Sequence, residues 1–515
     1  MGRFPRLCWL LLGLSVFITL TFVSFIPFRS PVGTKHSDAQ VVVEPSSDQN
    51  LQDDINTQRQ AEYQAYQRLH PTFRPTSKEC TVENNCPVSS RPHLGTLDIV
   101  QPNETHCIES TLRLTDNAAT PHQGLPASAA FWTTKDLAAL QQQSINSTLQ
   151  QRGDQRGPRT AVVLRAWHEF LWTPDDIDNV RTMMYQLLRG SGGDYQLFTL
   201  MQIRNDTADP GMQNVNLEAV PEVLRGLVEP WNQVQCRMAY PRMAYYEVVG
   251  QQFMPLQLFA DRHPEFDYFW NLEMDVRLTG DYHTFFSRSA DWARKQPTRG
   301  LWERNQRFYI PSYHGSYEDF ANSILPDYSS YGSVEADLIT YFPLFNTTST
   351  SWMWQDAYFG YPLDTQRFGT VGTNMRLSRH LLDAMASENV KGKTMFAEMW
   401  PPSAAFLHDL KAVFVPHAIF LEGDWSAEAL QRTFNAGPEG QVGAGNETVL
   451  DRQEIFEGST WSWNAKYGRK VYEGWRGRRV DGGSEDGGIM GSGLCLPPVF
   501  LHPVKSSTVE PQGWH

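Results

Sequence analysis

Glu273 and Asp275 stand two residues apart at the end of the apolar run Phe266-Asp267-Tyr268-Phe269-Trp270-Asn271-Leu272. Side chains alternate along a strand, so this spacing sends both carboxylates to one face. Two hard oxygen ligands at a strand end suit Mg²⁺ or Mn²⁺. An ion of that kind bridges the phosphates of a nucleoside diphosphate and neutralises charge as the bond to its sugar breaks. Arg277 lies on the same face two residues further on, and the competing reading is a structural cluster of Glu273, Asp275 and Arg277 at a turn.

A metal held by carboxylates and phosphates takes a further ligand from elsewhere in the chain. His417, directly after Lys411-Ala412-Val413-Phe414-Val415-Pro416, is the expected one, and His408 is second. For a general base, which has to reach the acceptor hydroxyl, Glu398 in Phe396-Ala397-Glu398-Met399-Trp400 fits best and Asp337 in Glu335-Ala336-Asp337 is second. Both acids also suit helix caps or turns. Arg165, His168 and Glu169 follow the first strand, where a nucleotide lies in an open α/β sheet; a surface salt bridge explains them equally well. Trp352, Trp354, Trp461 and Trp463 offer faces for sugar stacking, although large aromatics are first of all core residues.

The elements that position these residues begin at Arg159-Thr160-Ala161-Val162-Val163-Leu164-Arg165, a short buried strand. Thr173 and Pro174 then provide an N-cap and a first-turn proline, and Ile177, Val180, Met184, Leu187 and Leu188 recur at helical spacing up to Gly190, Gly192 and Gly193. A second strand from Tyr195 to Ile203 completes a βαβ unit, which predicts a parallel sheet. Later strands are expected from Ala336 to Phe345 and from Lys411 to Val415, with helices from Ser378 to Ser387 and from Pro402 to Leu410. Beyond Ala436 the Gly-rich segments predict a loop-rich extension over residues 437–515.

The N-terminal region points to a membrane. The run from Leu7 to Phe28 carries no charge. As a helix it spans roughly 30 Å, the thickness of bilayer hydrocarbon, and it exceeds the apolar core of a cleavable signal, about 7–15 residues. Residues 1–6 read as a cytoplasmic tail, 7–28 as the anchor, 29–61 as a polar stem and 62–157 as a loop-rich, cysteine-containing lead-in to an α/β domain over 158–436. The flanking charges Arg3, Arg6, Arg29 and Lys35 barely set orientation. The sequons at Asn103, Asn146, Asn205, Asn346 and Asn446 favour a lumenal C-terminal part. Cys80, Cys86, Cys107, Cys236 and Cys495 lie beyond the span, where an oxidising compartment allows up to two bridges. A formal charge of −13 argues against nucleic acid or anionic lipid as a partner, since an acidic surface repels phosphate backbones.

The segments Tyr268 to Gly280, Glu335 to Thr340, Lys411 to His417 and Leu164-Arg165-Ala166-Trp167 resemble the fungal domain-of-unknown-function family 3405 over roughly Thr160 to Trp425. That resemblance implies a filamentous-fungal source and an N-terminally anchored secretory protein, and carries no established activity. At the level of fold, the order strand, helix, strand, acid-x-acid, late histidine is similar to glycosyltransferases of the GT-A fold. It implies a Rossmann-like, mostly parallel mixed sheet flanked by helices, a nucleotide-sugar donor with Mn²⁺ or Mg²⁺, and a glycan or glycoprotein acceptor at the Golgi or endoplasmic-reticulum membrane. The motif departs from the acidic D-x-D type in having Glu273 first. The rival expectation is a catalytically inactive lumenal carbohydrate-binding or scaffold protein on the same fold.

Overall fold

The computed structural model describes residues 92–99, 108–110, 131, 134–153, 159–204, 215–326, 332–350, 352–443, 449–450, 454–476 and 495–505. The expected anchor, the stem, the sequons at Asn103, Asn205 and Asn446, and Cys80, Cys86 and Cys107 lie outside them. Among the described residues no helix is long and apolar enough to cross a membrane. Cys236 is a buried free thiol, and burial pushes it up to about 12, which keeps it protonated and inert.

The central sheet has seven strands: β1 (Thr160–Trp167), β2 (Tyr195–Gln202), β3 (Val228–Trp231), β4 (Tyr268–Glu273), β5 (Leu338–Thr340), β6 (Met375–Ser378) and β7 (Ala412–Phe414). Their spatial order is β7-β5-β6-β4-β1-β2-β3. β6 runs antiparallel to β4 and β5, and every other pairing is parallel. The mixed, mostly parallel sheet flanked by helices is therefore as expected. In β1 Ala161, Val162, Val163 and Leu164 are all buried, the continuous apolar run of a parallel strand covered on both faces.

The βαβ unit forms where local signals predict it. Thr173 and Asp176 make a reciprocal capping box at the start of the helix Pro174–Ser191, and Gly192 ends that helix in the left-handed region. From β1 the chain steps outward to β2 and β3, then returns to place β4 on the other side of β1. This reversal is a topological switch point, and it opens a crevice at the carboxyl ends of β1 and β4.

Two expected elements change. The strand expected from Ala336 to Phe345 splits into Leu338–Thr340 and Phe345–Asn346, because Pro343 lacks an N–H for the ladder. The helix expected from Pro402 starts at Trp400 and ends at Leu407, with its prolines in the first turn, where they displace no hydrogen bond. The C-terminal extension is more than loop. It holds the helix Tyr467–Trp475, and its strand Phe500–Leu501 pairs antiparallel with Arg277–Leu278, just past β4.

Candidate functional site

Glu273 ends β4 and Asp275 follows it, both partly exposed at the crevice. The third member of the cluster comes from the far end of the chain. His502 Nε2 lies 2.7 Å from Glu273 Oε2 and 3.3 Å from Asp275 Oδ1. The pairing of Phe500–Leu501 delivers this ring, and the Val504 amide donates to the Asp275 carbonyl at 2.7 Å. Burial disfavours the charged imidazole, but Asp275 and Glu273 more than offset it and take His502 up to about 10.

The two acids differ in what they have left to offer. Glu273 Oε1 accepts from Arg165 Nη2 and Thr373 Oγ1, each at 2.7 Å, while Oε2 meets His502. These partners hold its carboxyl well below the usual range against the penalty of burial, His502 contributing most. Asp275 Oδ1, by contrast, is buried and meets only His502, at the longer distance of 3.3 Å. Ligand atoms of Glu273, Asp275 and His502 all lie within 4.8 Å of one another. Two carboxylates and an imidazole that gives up its proton on binding fit a divalent cation such as Mn²⁺. Asp275 is the readiest ligand, and Glu273 orients Arg165 and His502.

Arg277 does not join the cluster. Its side chain is fully buried on the helix Pro174–Ser191, with Nε 3.1 Å from Asp175 Oδ2 and Nη2 2.6 Å from Asp176 Oδ1. The competing reading, an ion cluster of Glu273, Asp275 and Arg277, is thus divided, since the chain turns at Met274-Asp275 and the short strand that follows sends the guanidinium inward.

His417 is also elsewhere. Its ring is buried among Tyr341, Trp461 and Phe500, with centroids 5.3, 4.9 and 6.2 Å away. Burial takes it down to about 3, so it is a neutral core residue, and it is not part of the carboxylate cluster. The backbone crowds it as well: Gly95 has φ +72°, and a Cβ there would meet the His417 carbonyl oxygen at 1.9 Å. His408 lies 4.0 Å from Glu388, on the surface side of its helix end.

Arg165 is brought to the site, bonded to Glu273 and, at 2.6 Å, to Thr373, with Gln252 as a further partner. His168 and Glu169 sit in the following turn and form a surface group with Arg204, Glu169 Oε2 lying 3.1 Å from its Nη1. Glu398 is near enough for the charges of Glu273 and His502 to act on it. Burial, opposed by a hydrogen bond from the Gly372 amide and aided by Glu273, pushes its carboxyl up to about 7. Asp337 is at the wrong end of the sheet. It precedes β5 and accepts from Ser378 Oγ at 2.7 Å and from the Lys411 amide at 3.1 Å, a staple joining the starts of β5 and β7 to the end of β6. Of the tryptophans, Trp352 and Trp461 are core, Trp354 stacks on Phe396 at 4.1 Å, and Trp463 remains 48% exposed.

His502, Thr373 and Gln252 are the site residues that the sequence reading missed. Val499-Phe500-Leu501-His502-Pro503 does repeat the signal that nominated His417, a short apolar run followed by histidine.

Fold and site together define a mixed α/β protein with an acid–histidine cluster at the switch point of a mostly parallel sheet. The chain belongs to the family described as Protein of unknown function (DUF3405), whose model matches residues 114–333 and 326–506. Comparison with curated proteins returns no match.

Proposed function

We propose that this chain is a nucleotide-sugar-dependent glycosyltransferase of GT-A type, carried on an N-terminal anchor in the Golgi or endoplasmic reticulum with its α/β domain in the lumen. The observation that carries the reading is the convergence of Glu273, Asp275 and His502 beside Arg165 at the carboxyl ends of β4 and β1, where open α/β sheets bind nucleotides.

In this reading Asp275 and His502 hold the cation, with Glu273 behind them. Bound Mg²⁺ or Mn²⁺ supplies charge neutralisation at the departing diphosphate. Arg165 adds a fixed positive charge for a phosphate oxygen. Glu398, with its carboxyl near 7, is partly ionised at neutral pH and takes the proton of the acceptor hydroxyl. The acceptor oxygen bonds to the anomeric carbon as the bond from that carbon to the phosphate oxygen breaks, and the electron pair leaves with the nucleoside diphosphate.

Thermal denaturation of the full-length protein with UDP or GDP, each with and without Mn²⁺, tests the reading. One of the pairs stabilises the wild type, and Asp275→Asn abolishes the effect. No shift with any pair, together with an unchanged cellular glycan profile in Asp275→Asn, supports the rival, an inactive carbohydrate-binding protein.

A further inference from the structure

A second concavity lies well away from the crevice. It encloses about 420 Å³ between the segments around Pro311–His314, Tyr317–Ile324 and Ala427–Phe434, and its walls include Arg307, Tyr313, His314, Asp319, Phe320 and Gln431. The preceding helix residue Asn305 is stitched to β7, accepting from the Phe414 amide at 3.1 Å and donating to the Ala412 carbonyl at 2.7 Å. β7 stands three strands from β4, roughly 14 Å at the usual strand spacing. None of the crevice residues lines this cavity.

Its polar groups are set in place. Asn435 Nδ2 donates to Gln431 Oε1 at 3.0 Å, which fixes the amide and leaves Nε2 as an outward donor. A Cβ on Gly440, at φ +77°, would stand 3.5 Å from that Nε2 and 3.7 Å from Arg307 Nη1. Two donors therefore converge where the backbone carries no side chain. The Ile310 amide donates to His314 Nδ1 at 3.0 Å, so the neutral ring carries its proton on Nε2 and is a third donor. Asp319 Oδ2 accepts from the Ser316 amide and hydroxyl in the capping box of its helix, leaving Oδ1 to accept.

The apolar part is aromatic. Phe320 is buried, Tyr313 is 50% exposed, and both pack edge-on against the His314 ring at 4.8 and 5.1 Å. One cation and one carboxylate balance within the cavity, which disfavours a net anion. Fixed donors, an acceptor and an exposed aromatic face together suit a polyhydroxylated ring.

We infer that this cavity is a second carbohydrate-binding site, separate from the switch-point crevice, which takes a neutral mono- or disaccharide unit of a glycan. It stands whether or not the crevice transfers sugar.

Saturation-transfer NMR on the full-length protein with methyl α- and β-glycosides of glucose, galactose, mannose and N-acetylglucosamine tests this. Transfer to the ring protons of at least one glycoside is expected. Arg307→Met and Gln431→Leu weaken binding about tenfold each, as loss of a directed hydrogen bond requires. The surface change Tyr313→Ala, which leaves the buried packing in place, weakens it as well. Asp275→Asn leaves the sugar signal intact while removing the nucleotide response, so failure of either site is read separately. Absence of transfer from every glycoside overturns the inference, as does transfer that all three cavity variants leave unchanged. Binding of inorganic phosphate that Arg307→Met removes, with no sugar bound, also overturns it and assigns the cavity to an anion.

Discussion

His417 and His502 invite comparison because so much about them is alike. Each follows a short apolar strand, each is almost fully buried, and each packs on Trp461, with ring centroids 4.9 and 5.3 Å away. Their charge states are opposite. The His417 ring packs on aromatic rings, and burial takes it down to about 3. His502 faces Glu273 and Asp275 and rises to about 10. Burial alone therefore says little about a histidine; the groups across from it decide. Arg277 extends the lesson. It is as buried as either ring, yet its two carboxylates come from a helix start and close its charge inside the protein, whereas in the cluster two residues earlier Asp275 Oδ1 has only the 3.3 Å contact with His502.

The closed and the open cluster respond differently to substitution. Arg277→Met leaves Asp175 and Asp176 without their main buried cation and destabilises the protein by about 3–5 kcal/mol, measured by urea unfolding. A loss under about 1 kcal/mol would remove the distinction between the two clusters. Beside the open cluster, at Glu398, the effect falls on rate. Glu398→Gln lowers kcat about 10²–10⁴-fold in a transfer assay while nucleotide affinity holds, and unchanged kcat would remove Glu398 from the role of base.

The two histidines separate on pH. Glu398 works ionised, so wild-type activity rises as pH climbs through about 7. His502→Phe, which removes a cation ligand, abolishes that activity at every pH, whereas His417→Phe leaves the rise in place. The smallest effect concerns stability. His417 is protonated in the unfolded chain below about 6.5 but stays neutral when folded, so it destabilises the protein as pH falls through that range. Between pH 6 and 5 the wild type loses about 1 kcal/mol relative to His417→Phe, as paired urea titrations will show. A constant difference between the two proteins would mean that His417 titrates normally.

What was legible in the sequence was local. The capping box at Thr173 and the apolar run of β1 define themselves within a few residues, so the βαβ unit appears where expected. The spacing of Glu273 and Asp275 does bring them together, although through the turn at Met274-Asp275 and not the expected strand alternation, and the carboxyl end of β1 pointed to Arg165. His502 was hidden because a two-residue strand pair joins positions more than two hundred residues apart, and three apolar residues carry no periodicity. Asp175 and Asp176 read as helix-start acids, which they also are; nothing nearby announces that Arg277 is their partner. Asp337 was misassigned because an acid beside an apolar run does not say which end of the sheet it occupies.

The central claim is that His502, not His417, completes a cation site with Asp275. Electron paramagnetic resonance of Mn²⁺ titrated into the full-length protein with UDP or GDP tests it most directly. The account predicts loss of the free-ion signal at one ion per chain with a histidine nitrogen coupling, abolished by His502→Phe and Asp275→Asn and retained in His417→Phe. Loss of the coupling in His417→Phe with its survival in His502→Phe would contradict it.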